Sequence, residues 1–75
     1  MKYELIKYDL GQETETGEQG NYSINITIAI HPTDGIAPDF SKDIIVVSNN
    51  DMTGHQVDAQ REQEVDNYIL EINKS

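Results

Sequence analysis

Between Asn21 and His31 the chain alternates without a fault, with Tyr22, Ile24, Ile26, Ile28 and Ile30 on one side and Ser23, Asn25, Thr27, Ala29 and His31 on the other. Successive side chains of a strand point to opposite faces, so this period of two describes a strand with one buried and one wet face. The signal speaks of architecture and not of chemistry.

A chain of 75 residues makes a single small domain, 1–75, that buries only about 60–65% of the surface its unfolded form exposes. With no Cys, neither a disulfide nor a thiolate metal site is open to it, so stability rests on packing or on association with other copies. The first residues, Met-Lys-Tyr-Glu-Leu-Ile-Lys-Tyr-Asp, carry charges every few positions and no apolar run of signal-peptide length. No stretch reaches the ~18 apolar residues of a membrane span. A cytoplasmic protein is expected. The 14 acidic residues against 5 basic ones give a net charge of −9, which argues against direct binding to nucleic acid or to an anionic membrane, since phosphate contacts need Lys and Arg. Excess acid serves solubility, and any charged partner is expected to be basic.

Lys2–Leu10 reads as a first strand, with Ile6, Tyr8 and Leu10 on one face and Tyr3 and Leu5 on the other. Either a bulge near Leu5 and Ile6 switches faces, or both faces are partly buried. Residues 11–20 contain three glycines and no apolar residue, and are expected to form a flexible acidic hairpin loop that presents Glu13, Glu15 and Glu18. His31-Pro32 stops the second strand. An irregular stretch then runs to about Lys42, with Ile36 and Phe40 as its large apolar groups. Ile44-Ile45-Val46-Val47 is β-branched throughout, which reads as a strand needing cover on both faces.

Asp51 or Thr53 offers a cap for a helix expected from about Gln56 to Lys74. Val65, Tyr68, Ile69 and Ile72 form its apolar stripe, with Val57 near the upstream extension. The expected fold is α+β: a small antiparallel sheet of about three strands in β-β-β-α order, with the C-terminal amphipathic helix packed on one face.

One helix covers one face of such a sheet. The Ile44–Val47 run and the pair Tyr3 and Leu5 call for cover on the other, at roughly 1.5–3 kcal/mol for each large group left in water. A second copy is the simplest cover, so self-association is expected through Tyr3, Leu5, Ile45 and Val47, by stacking or edge pairing of sheets. The competing arrangement folds residues 33–42 across that face through Ile36 and Phe40.

Chemistry is thin. His31 and His55 lie 24 positions apart without ligand spacing, so no metal is expected. Ser23, Ser41 and Ser48 stand in no nucleophile elbow, and no phosphate-binding loop exists. Neither catalysis nor a cofactor is expected. One arrangement is sharper: Asp58, Glu62 and Asp66 follow at i, i+4 and i+8, carboxylates about 6 Å apart along the helix. The row is slightly unfavourable unless Arg61 or an external base relieves it, and it is either a solvated helix face or a surface that imitates phosphates. The expected role is a non-enzymatic assembly module of the accessory kind found in compact genomes such as those of phages, homo-oligomeric through its sheet. The alternative is an acidic nucleic-acid mimic or inhibitor that binds a basic protein surface through Asp58, Glu62 and Asp66.

Overall fold

The computed structural model describes residues 2–74. Among these residues three antiparallel strands, β1 (Tyr3–Glu15), β2 (Asn21–Pro32) and β3 (Phe40–Asn49), form one sheet in the order β1-β2-β3, and a single helix, α1 (Gly54–Asn73), follows them. This is the α+β layout expected from the sequence. Among the described residues no helix is long and apolar enough to cross a membrane.

The alternating segment is the central strand. Ile24, Ile26, Ile28 and Ile30 are all buried, joined by Val46 of β3 and Val65 of α1. Tyr3, Ile44, Tyr68, Ile69 and Ile72 pack around them partly buried. A slip of one residue would turn the four isoleucines to solvent, so the register of both neighbours is tightly held. β3 pairs with β2 without interruption from Asn21 opposite Asn49 to Ile30 opposite Phe40.

β1 behaves differently. Leu5 stands opposite Ile30 and Lys7 opposite Ala29, which leaves Ile6 as an extra residue. The bulge weighed in the sequence is the arrangement that forms, and it corrects the face assignment. Directly opposed residues share a face, so Tyr3, Leu5, Tyr8 and Leu10, opposite Pro32, Ile30, Ile28 and Ile26, all lie on the helix side. Tyr3 and Leu5 are therefore not on the uncovered face.

A second correction concerns residues 11–20. β1 runs on to Glu15, with Glu13, Thr14 and Glu15 opposite Ile24, Ser23 and Tyr22. Apolar periodicity cannot reveal such a stretch, because its pairing uses backbone groups and its side chains stay in water. Between Leu10 and Glu13, two residues of β1 face one of β2, and Gly11 makes that bulge possible: a Cβ there would stand 2.9 Å from the Asn25 carbonyl oxygen. The turn itself is confined to residues 16–20, where Gly17 and Gly20 take positive φ of 90° and 84°.

Residues 33–39 do not roof the sheet. Ile36 is fully exposed, and Phe40 packs edge-on against Tyr3 on the helix side, ring centroids 5.9 Å apart. β3 starts at Phe40 rather than Asp43 because Ile30 and Ala29 of β2 still offer pairing partners there.

Thr53, one of the two expected caps, closes the start of α1. Its hydroxyl accepts from the Gln56 N–H at 3.1 Å, while the Gln56 side chain accepts from the Thr53 N–H at 2.9 Å. At the far end Asn73 grips β1, accepting from the Tyr3 N–H at 2.7 Å and donating to its carbonyl at 3.3 Å. The molecule is long, 46 × 18 × 18 Å, and its radius of gyration of 14.2 Å exceeds the ~11 Å of a compact domain this size. A helix of 20 residues covers about 30 Å, less than strands of 12 and 13 residues at about 3.3 Å each, so the hairpin outruns its roof.

Candidate functional site

Two surfaces follow from this geometry: a groove between α1 and β1, and the uncovered face of the sheet with its β3 edge. The groove exists because β1 is an edge strand and its helix-side residues are incompletely roofed. Leu5, Tyr8 and Leu10 stay partly exposed and, with Val65, give the groove an apolar floor. Asp58, Glu62 and Asp66 form its helical wall, so the acidic row borders an apolar surface instead of a purely solvated one. The groove holds about 460 Å³.

Arg61 stands in the middle of that wall. Its side chain is only 9% exposed, and its nearest charged partner is Glu13, with Nη2 3.6 Å from Oε1. Among the described residues neither Nε nor Nη2 has a hydrogen-bond partner. Two buried guanidinium nitrogens without hydrogen bonds are costly, because water has been removed from these donors and the Glu13 carboxylate replaces it only in part. Tyr8 lies in the same groove. Burial pushes its phenol above the ordinary value; Arg61 pulls it back, and Glu62 and Asp58 push it up.

The sequence brings Arg61 to the acidic row as a base that relieves it, but not as a buried side chain, and it does not bring Tyr8 there at all. Arg61 carries a usable signal: it lies four residues from both Val57 and Val65, both buried, and so falls on the apolar stripe. Tyr8 joins the groove only through the bulge at Ile6.

On the uncovered face, Thr27 donates to Asp43 at 2.9 Å and Asn25 donates to Thr27 at 3.4 Å. Ile45 and Val47 are the large apolar groups beside this polar ladder, 70% and 49% exposed. The four residues expected to mediate self-association are thus divided: Ile45 and Val47 on the open face, Tyr3 and Leu5 on the helix side. β3 forms the second edge of the sheet. Gln60 covers one end of it, accepting from Ser48 Oγ at 2.7 Å and donating to the Val47 carbonyl at 2.8 Å. With the Val47 carbonyl turned away from β2, the alternation of an antiparallel ladder turns the backbone groups of Ser41, Asp43 and Ile45 outward as well.

The remaining candidates are dispersed. His31 Nδ1 hydrogen-bonds Asp39 at 2.5 Å, and His55 lies exposed in the first turn of α1. Among the described residues no group of three His, Cys, Asp or Glu side chains converges to hold a metal ion. Ser48 is buried and committed to Gln60. At the hairpin end an open, polar concavity includes Glu13, Glu15 and Glu18, of which Glu18 accepts from Asn21 Nδ2 at 3.1 Å. No protein-family model, curated protein or solved structure matches the chain.

Proposed function

We propose that the protein is a non-enzymatic interaction module that self-associates by antiparallel pairing of β3 with β3 of a second copy. The observation that carries this reading is the character of β3: an edge strand of 10 residues with unbroken register, β-branched at four consecutive positions, of which Ile45 and Val47 are exposed. Such an edge is a template for another strand. β1 is a poorer template, since two bulges interrupt it.

A two-fold axis makes the contact self-complementary. Passed through Ile44 or Ile45, it brings β-branched side chains together and keeps Lys42 and Asp43 away from their own copies, where like charges would repel. The result is a six-stranded sheet with both helices on one side. Edge pairing is favoured over stacking of open faces because Asn25, Thr27 and Asp43 occupy the middle of that face.

Sedimentation across micromolar concentrations tests the reading. A dimer of the 8.5 kDa chain is expected, and it strengthens with added salt because each copy carries −9. Ile45→Pro removes an outward N–H without touching the ladder to β2 and is expected to give a folded monomer. A wild-type chain that stays monomeric at high micromolar concentration overturns the proposal.

A further inference from the structure

We propose that the groove between α1 and β1 docks an extended, basic segment of a partner protein, with its apolar side chains on the floor and its Lys or Arg side chains along the acidic wall. This surface is distinct from the β3 edge, and the inference stands whether or not the chain self-associates.

Three observations converge on that occupant. The first is charge: Asp58, Glu62 and Asp66 line one side, and like charges at this spacing disfavour the free helix unless a base relieves them. The second is repeat length. Carboxylates at i, i+4 and i+8 recur about every 6 Å along a helix, close to the ~6.6 Å between alternate residues of an extended chain. A segment with Lys or Arg at every second position therefore meets all three in step.

The third is Arg61. Its Nε and Nη2 are buried without hydrogen-bond acceptors among the described residues, Nη2 lying 3.6 Å from Glu13 Oε1. They reach an incoming acceptor when the side chain turns toward the groove, and a cationic segment brings no carboxylate to them. An extended backbone brings free carbonyl oxygens, which a helical segment keeps for itself. The apolar floor of Leu5, Tyr8 and Leu10 separates this site from a phosphate mimic, which would need charge alone.

Two synthetic peptides of identical composition test the proposal, one alternating Lys with Val and one with its Lys at helical spacing, each labelled for fluorescence anisotropy. The alternating peptide is expected to bind, more weakly as salt rises, and the helical pattern to bind at least about tenfold less tightly. Neutralising the wall (Asp58→Asn, Glu62→Gln, Asp66→Asn) is expected to cost tenfold or more, by the scale of exposed charge pairs. Neutralising Asp51, Glu64 and Glu71, which lie outside the groove, removes the same charge and is expected to leave affinity within about twofold. Arg61→Met is expected to weaken binding while circular dichroism and melting show an intact fold. Failure of the alternating peptide to bind, equal binding of the two patterns, equal loss from the two triple variants, or full affinity in folded Arg61→Met would each overturn the proposal.

Discussion

Arg61 and Glu13 face each other across the end of the groove at 3.6 Å, one side chain 9% exposed and the other 62%. The pair is lopsided: a guanidinium stripped of water is answered by a carboxylate that remains in it. Replacing a buried ion pair by apolar groups of similar volume is often neutral or stabilising, by about 1–4 kcal/mol, whereas removing one partner is costly when it leaves the other charge buried. Here Glu13 keeps its water, so losing Arg61 alone strands no buried charge. Arg61→Met is accordingly expected to unfold at a urea midpoint equal to or above that of the wild type, and Arg61→Ala below it, since Ala leaves a cavity under the helix. A clear loss of stability in Arg61→Met would mean that the guanidinium supports the fold.

Ile26 and Ile45 are both apolar strand residues, yet only the first is fully buried. Ile26→Ala is expected to cost about 2–5 kcal/mol. Ile45→Thr, at an exposed position that suits β-branched residues, is expected to stay within about 0.5 kcal/mol. Denaturant titration at low protein concentration, where association does not contribute, reads both values.

Gly11→Ala tests the second bulge of β1. The added methyl meets the Asn25 carbonyl oxygen at 2.9 Å, so the strands must separate or the bulge must shift. A cost of about 1–3 kcal/mol is expected, by analogy with overpacking. Gly17→Ala makes no such contact, but it strains a residue at positive φ and is expected to cost about 1 kcal/mol. Thermal melts of the two variants separate a steric cause from a conformational one.

What could be read from the residues follows the physics of each element. β2 and α1 are legible because each buries one face, and burial imprints its period on the apolar positions, as in Ile24–Ile30 and Val65–Ile72. β1 is half legible: the conflict between Leu5 and Ile6 exposes the bulge, but strand pairing through the polar residues 11–15 leaves no apolar trace. The acidic row and Arg61 beside it are visible, whereas the approach of Tyr8 is not. That Asp58 and Glu62 face Tyr8 depends on which flank of α1 turns toward β1, a tertiary choice secured by the grip of Asn73 on Tyr3.

Tyr8 brings a pH dependence of its own. Its phenol is raised above the usual value by burial, with Arg61 opposing and Glu62 and Asp58 reinforcing. Well below pH ~10 the group is neutral in both folded and unfolded chains and contributes no slope. As pH rises past ~10 the unfolded phenol ionises first. The unfolded state then holds fewer protons than the folded one, and stability falls until the folded phenol ionises too. In Tyr8→Phe that loss is absent. The stability difference between wild type and Tyr8→Phe, measured by urea titration from pH 8 to 11, is therefore expected to be flat at first and then to shift against the wild type above pH ~10. Every other group is common to wild type and variant, so the difference between them isolates the Tyr8 phenol. A difference that stays level through pH 11 would mean that the phenol reaches water as freely in the folded chain as in the unfolded one.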